Sequence, residues 1–313
     1  MKYIFIIFII IFIFIIFVLP NSAPQNTLSA KKPLENGTND KDRGTVEPLF
    51  PEPKIFYKHP LALVIGNEKY EHNSLINPVN DAKAMRALLK KMGFEVTLKT
   101  NLNQRAMNEA IDDFGKQLLK SRGIGLFFFA GHGAQIDGQN YLLPINNKMI
   151  QYQDDLEKKN ILYADQILKL MEKAKTTLNI IILDACRDNP YRTRERGEKK
   201  EGLKYMQAPL GSIIAFATAP GETTPDISKS GNNGLYTSHL LVALEKAYQT
   251  HQRIDDMFMA ISRAVSEETK GRQAPWYSFS LREPFCFNGC ENEGPQMVSI
   301  PAGRFKMGNI QGN

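Results

Sequence analysis

The sequence predicts an α/β fold with a mostly parallel, six-stranded sheet and helices on both faces. Continuous apolar runs at 126–130 and 180–183 stop at Gly131 and Asp184, which is typical of fully buried strands in a parallel sheet. From Leu61 onward, strand-like and helix-like segments alternate along the chain. That βαβ order is the arrangement in which helices cover both faces of a parallel sheet.

The first half of the domain contains three predicted strands and two helices. A short apolar strand covers 61–65, and Asn80 or Asp81 can cap a helix that continues to Lys91 and stops at Gly93. The next strand covers 94–98. A second helix over 103–119 has apolar residues at helical spacing, and it leads into the strand 124–130.

The second half continues the same alternation. A helix over 165–174 precedes the strand 178–184, and a polar segment separates that strand from the buried strand 212–217. Helical patterns then cover 234–248 and 254–268, and a last strand covers 276–281.

Length and composition indicate one large globular domain with appendages. The chain has 313 residues, of which 42% are hydrophobic, so a packed core is expected. The net charge of +6 does not predict a nucleic-acid partner, because basic and acidic residues are interleaved on helix faces. Arg and Lys are densest between residues 192 and 204, which we interpret as a polar loop.

The amino terminus predicts export. Residues 3–19, behind Lys2, are apolar, and as a helix they would be about 26 Å long, close to the bilayer core. We favour an uncleaved membrane anchor over a cleaved signal peptide in residues 1–20. Both place the following domain on the periplasmic or extracellular side. Residues 21–58 are polar and form a predicted flexible tether.

Two reactive side chains follow two of the buried strands. His132 comes after the strand 124–130 and Cys186 after the strand 178–184. If these strands are neighbours, both residues lie in one crevice at the carboxyl ends of the sheet. An imidazole can take the thiol proton and later give it to a leaving amine. This pair predicts acyl transfer, most simply peptide hydrolysis.

Several motifs resemble a known family. The order and separation of His132 and Cys186 fit the caspase-type signature. The segments 61–67 (LALVIGN), 80–82 (NDA), 184–190 (DACRDNP) and 215–221 (AFATAPG) resemble bacterial caspase-like proteins, relatives of metacaspases and paracaspases in the C14 peptidase family. The resemblance runs from Leu61 to about Leu281. It implies a caspase-like peptidase domain over 59–285, divided into a large-subunit-like part 59–188, a linker 189–207 and a small-subunit-like part 208–285.

The resemblance also implies the roles of individual residues. It assigns the backbone N–H groups of Gly133 and Cys186 to an oxyanion hole, and Asp81 and Asp184 to an acidic pocket for the P1 side chain. Such a pocket favours cleavage after Arg or Lys, including self-processing in the basic linker. Ala130 departs from the Ser of many metacaspases. No Asp or Asn is identifiable as a third triad member, and in the family a backbone carbonyl commonly orients the imidazole.

The remaining features suggest no cofactor. Cys286 and Cys290 predict a local disulfide, which leaves Cys186 as the reduced thiol, and the sequence shows no metal-ligand set. Calcium is implied by the family resemblance only. Residues 286–313 include a segment that resembles the opening of the formylglycine-generating, sulfatase-modifying enzyme domain, without its catalytic residues.

Two functions from different classes remain open at this point. The first is a cysteine endopeptidase that acts on proteins or peptides with a basic P1 residue. The second is a catalytically silent caspase-like module that binds partners through the same pocket. The paired Cys186 and His132, with glycines on both sides of the histidine, favour the endopeptidase.

Overall fold

A computed structural model describes residues 59–136, 139–186, 206–218 and 232–290 of the chain. The predicted membrane anchor (1–20), tether (21–58) and most of the linker (189–207) and of the carboxyl-terminal segment (286–313) lie outside these residues. Within the described ranges, no helix has both the length and the apolar character needed to cross a bilayer.

Seven strands form one sheet: β1 (Leu61–Gly66), β2 (Glu95–Thr100), β3 (Ile124–Ile136), β4 (Gln139–Leu142), β5 (Leu178–Cys186), β6 (Ser212–Phe216) and β7 (Trp276–Ser280). Their spatial order is β2-β1-β3-β5-β6-β7, and β4 pairs with the end of β3. The first five strands of that order run parallel, whereas β7 and β4 are antiparallel to their neighbours. This confirms the predicted α/β class with a mostly parallel sheet.

Six helices and one 3-10 turn (Asn147–Met149) accompany the sheet in the described residues: α1 (Pro78–Lys91), α2 (Gln104–Ser121), α3 (Asp154–Lys158), α4 (Ala164–Lys173), α5 (Leu235–Gln249) and α6 (Ile254–Thr269). Helices cover both faces of the sheet because successive strand residues point to opposite sides. Val64 and Phe128 belong to one buried cluster, which includes residues of α1, α5 and α6; Leu63 and Phe127 belong to the other, which includes residues of α2 and α4.

The structure corrects several predicted boundaries. Helix α1 begins at Pro78 rather than at Asn80 or Asp81, because proline is well suited to the first position of a helix. Asp81 therefore lies in the first turn of α1. Strand β3 continues through His132 to Ile136, beyond the predicted end at Ala130, because its last residues form a hairpin with β4. Strand β4, the 3-10 turn and α3 were not predicted.

The start of α1 is held close to the end of β1. A Cβ atom on Gly66 would lie only 2.2 Å from the backbone oxygen of Pro78, so a residue without a side chain is needed there. The next residue, Asn67, is buried, and its side chain accepts from the backbone N–H of Leu102 and donates to the carbonyl of Leu143. These contacts fix the loop between β1 and α1 above the carboxyl ends of the strands.

Candidate active site

The two predicted reactive residues lie side by side in the sheet. Strands β3 and β5 are adjacent and parallel, and His132 and Cys186 are direct partners in their register. The sequence-based condition that the two strands be neighbours is therefore met. The backbone of Cys186 ends β5, and its side chain lies outside the described part of the structure.

The imidazole of His132 is oriented by a backbone carbonyl. Its Nε2 atom is 2.5 Å from the carbonyl oxygen of Asn73, in the loop between β1 and α1. A carbonyl only accepts hydrogen bonds, so Nε2 must carry the proton, and in the neutral ring Nδ1 carries the lone pair. The contact selects the tautomer in which Nδ1 is the base.

Asn73 was not singled out from the sequence. Its φ of 58° places it in the left-handed region, which asparagine tolerates better than most residues. The polar residues on either side of Asn73 in the sequence indicate a turn. That sign could not show that the turn faces a histidine that is 59 residues away in the chain.

Tyr70 holds His132 from the same loop. The His132 backbone N–H donates to the Tyr70 hydroxyl at 2.8 Å, and the hydroxyl donates to the Leu143 carbonyl at 3.2 Å. The two rings pack with their centroids 4.4 Å apart. A Cβ atom on Gly131 would lie 2.5 Å from that hydroxyl, so glycine before His132 permits this close approach. On the other side of His132, Gly133 pairs with Leu142 of β4.

The two predicted pocket carboxylates converge at the amino terminus of α5. Asp81 is 3% exposed, and its Oδ1 atom accepts from the Gly234 N–H and from Asn233 Nδ2, both at 2.9 Å. Asp184 Oδ2 accepts from the Thr237 hydroxyl at 2.6 Å. A Cβ atom on Gly234 would lie 3.1 Å from Asp81 Oδ2 and 3.6 Å from Asp184 Oδ2. The two carboxylates thus face one small space.

The charges around this space come from the two carboxylates and from the start of α5. The start of a helix carries partial positive charge, which stabilises carboxylates placed there. The buried phenol of Tyr236, in the first turn of α5, has its pKa raised by burial and, in addition, by the negative charge of Asp184. That phenol therefore stays neutral and adds no negative charge to the two carboxylates. Gly234, Thr237 and Tyr236 are site residues that the sequence did not indicate.

The two remaining cysteines and two further histidines have structural contacts. Cys286 and Cys290 form the predicted local disulfide, with their Cα atoms 4.9 Å apart. His239 pairs with Glu268 at 2.7 Å, and His251 Nδ1 contacts the Gly289 carbonyl at 2.8 Å. Within the described ranges, His, Cys, Asp and Glu form no group of three or more that could hold a metal ion.

Comparison with known proteins gives a consistent result. The family model Peptidase_C14, described as a caspase domain, matches residues 59–286. The chain is 29% identical over 248 residues to mucosa-associated lymphoid tissue lymphoma translocation protein 1 of Homo sapiens. The match covers 78% of this chain and 28% of that protein. It is 24% identical over 222 residues to Caspase-1-A of Xenopus laevis, covering 66% of this chain and 56% of that protein.

A solved structure supports the same fold. The crystal structure of Caspase-1 from Spodoptera frugiperda matches with a TM-score of 0.56 and 16% sequence identity, covering 80% of this chain and 99% of that chain. This chain spans about a quarter (28%) of the length of the human relative, so the similarity concerns one domain of that longer protein.

Proposed function

Because the chain belongs to the caspase-domain family Peptidase_C14, we propose that it is a cysteine endopeptidase that uses His132 and Cys186 as a catalytic dyad. The observation that carries the proposal is the geometry of His132. Its register partner is Cys186, and the Asn73 carbonyl leaves Nδ1 as the basic nitrogen.

The proposed reaction proceeds in two steps. His132 Nδ1 takes the proton from the Cys186 thiol, and the thiolate attacks the carbonyl carbon of the scissile peptide bond. The backbone N–H groups of Gly133 and Cys186 stabilise the negative oxygen of the tetrahedral intermediate. The imidazolium then protonates the leaving amine, and an acyl-enzyme remains. Water, deprotonated by the same imidazole, hydrolyses the thioester and restores the thiol.

We propose that the P1 residue is Arg or Lys. The support is the convergence of the Asp81 and Asp184 carboxylates on one space beside Gly234. A guanidinium can form paired, charge-assisted hydrogen bonds with carboxylates, whereas an acidic side chain there would add a third negative charge. Cleavage after Asp is therefore not expected.

A peptidase assay on purified protein tests the proposal. Three fluorogenic peptides that differ only in Arg, Lys or Asp at P1 are compared, with and without EDTA. We expect turnover of the Arg and Lys peptides only, unaffected by EDTA because no step of the mechanism uses a metal. Cys186→Ala removes the nucleophile and should abolish turnover, and His132→Ala should lower it by about two orders of magnitude or more.

The controls separate a failed enzyme from a failed protein. Val242→Ala on the exposed side of α5 should match the wild type, because the Val242 side chain is 70% exposed to solvent and has no role in the proposed mechanism. Turnover retained by Cys186→Ala refutes the mechanism. A folded wild type that hydrolyses none of the peptides, but binds an Arg peptide through Asp81 and Asp184, would indicate the silent binding module instead.

A further inference from the structure

The loop 67–77, between β1 and α1, holds the proposed catalytic histidine on two sides. It supplies the Asn73 carbonyl to the ring nitrogen Nε2 and the Tyr70 side chain to the backbone and ring of His132. A single carbonyl fixes a ring only if the carbonyl is itself fixed. The contacts that fix this loop therefore bear on the orientation of the base.

Tyr70 fixes the backbone of His132. The tyrosine is only 4% exposed, and its hydroxyl bridges the His132 N–H and the Leu143 carbonyl. The Leu143 N–H in turn donates to the His132 carbonyl at 3.0 Å. Both backbone polar groups of His132 are thus held, while the phenol ring lies against the imidazole. The ring contact and the hydroxyl bridge are separable by mutation, since phenylalanine retains only the first.

Asn147 fixes the carbonyl that faces the imidazole. This residue begins the 3-10 turn, is 4% exposed and lies 75 positions after His72. Its side-chain oxygen accepts from the His72 N–H at 2.9 Å, and its side-chain nitrogen donates to the His72 carbonyl at 3.0 Å. The residue directly before Asn73 is therefore clamped by both ends of one amide. A carboxylate of the same size would keep the first bond and repel the carbonyl in the second.

We infer that Tyr70 and Asn147 are positioning residues for His132: Tyr70 holds the histidine backbone and one ring face, and Asn147 holds the loop that presents the Asn73 carbonyl. This inference rests on the proposed function, and it assigns to two buried neutral residues the support of the His132 backbone and of the loop that carries the Asn73 carbonyl. Both side chains are buried, so we expect them to act through the tautomer and orientation of the imidazole.

Three variants test the inference. Tyr70→Phe removes the hydroxyl but keeps the ring, and Asn147→Asp removes the donor but keeps the shape. Tyr248→Phe, near the carboxyl end of α5, is the matched control. The first readout is the NMR spectrum of ¹⁵N-labelled imidazoles, with the His132 signal assigned by its loss in His132→Ala. The second is kcat and KM for the Arg-P1 peptide as a function of pH.

We expect one Nε2–H tautomer of His132 in the wild type and in Tyr248→Phe, and a mixture of tautomers in Tyr70→Phe and Asn147→Asp. Loss of one orienting hydrogen bond should lower kcat roughly tenfold, leave KM nearly unchanged and move the pH profile. If either variant fails to fold, the other still provides the test.

Distinct results overturn the inference and the proposed function. If His132 keeps the wild-type tautomer and pH profile in every folded variant, the residues are only structural and the inference is wrong. If the wild type hydrolyses no peptide but the tautomer changes in the variants, the positioning role is supported and the endopeptidase proposal fails.

Discussion

Gly234→Ala should close the proposed P1 pocket without disturbing the dyad. The new methyl group would lie 3.1 Å from Asp81 Oδ2 and 3.6 Å from Asp184 Oδ2, in the space that both carboxylates face. The first distance is shorter than ordinary van der Waals contact by a few tenths of an ångström. The backbone of Gly234, with φ of −59° and ψ of 153°, is accessible to alanine, so the substitution introduces no backbone strain.

The expected cost to binding exceeds the expected cost to stability. Alanine is a poorer residue than glycine at the position before a helix, which we expect to lower the free energy of unfolding by about 1 kcal/mol. Excluding a guanidinium from one charge-assisted hydrogen bond costs about 1.5–3 kcal/mol. That range corresponds to a roughly 10- to 150-fold decrease in kcat/KM for an Arg-P1 peptide.

The assay measures kcat/KM together with the alkylation rate of Cys186 by iodoacetamide. Alkylation needs the dyad and not the pocket, so it should be unchanged in Gly234→Ala, and Val242→Ala on the same helix should leave both values unchanged. A folded Gly234→Ala variant with wild-type kcat/KM would show that the P1 side chain binds elsewhere. Loss of alkylation as well would show that the methyl group perturbs the dyad.

Three further predictions concern processing and stability. Wild type, but not Cys186→Ala, should cleave itself between residues 192 and 204, as judged by gel and mass analysis; nicking of the same bonds in the variant would indicate a contaminating protease. Burial and the charge of Asp184 raise the pKa of Tyr236, so the phenol stays neutral in the folded protein but ionises above a pH of about 10 in the unfolded chain. The folded state therefore loses stability relative to the unfolded chain as the pH rises above about 10. The urea-unfolding free energy of Tyr236→Phe should therefore fall less between pH 8 and 11 than that of the wild type, and an equal fall would contradict this. Gly66→Ala would place a methyl 2.2 Å from the Pro78 carbonyl oxygen and should cost about 3 kcal/mol or more, far beyond Gly234→Ala; an unchanged urea midpoint would refute the close approach.

Strands and helices that bury a whole face were predictable from the sequence, and elements made by tertiary pairing were not. Strand β5 is apolar on consecutive positions because helices cover both its faces. Strand β4 has the short sequence QNYL, and it becomes a strand because the end of β3 pairs with it. The start of α1 was misplaced because Asp81, a good cap residue in isolation, is used instead to bind the start of α5.

In the candidate site, the residues that follow buried strands were predictable from the sequence, and the contacts between distant loops were not. Parallel strands bring their carboxyl ends together, so the proximity of His132 and Cys186 followed once both were placed after buried strands. The roles of Asp81 and Asp184 came from the family resemblance, and the structure adds that both bind residues at the start of α5. The contacts of Tyr70, Asn73 and Asn147 join loops far apart in the chain, and no local pattern encodes such contacts.

In the candidate active site, the charged carboxylates lie at the proposed P1 pocket and neutral groups lie around the histidine of the proposed dyad. The carboxylates of Asp81 and Asp184 meet at the start of α5, where a cationic side chain would be bound. Among the described contacts of the His132 imidazole are the Asn73 carbonyl and the Tyr70 ring, and both groups are uncharged at physiological pH. A carboxylate behind the ring would stabilise the imidazolium and add another titrating group. The Asn73 carbonyl and the Tyr70 hydroxyl add no titrating group in the neutral pH range, so Tyr70→Phe should shift the ionisations in the pH profile of the Cys186 alkylation rate without changing their number. An ionisation that appears or disappears in Tyr70→Phe would refute this reasoning.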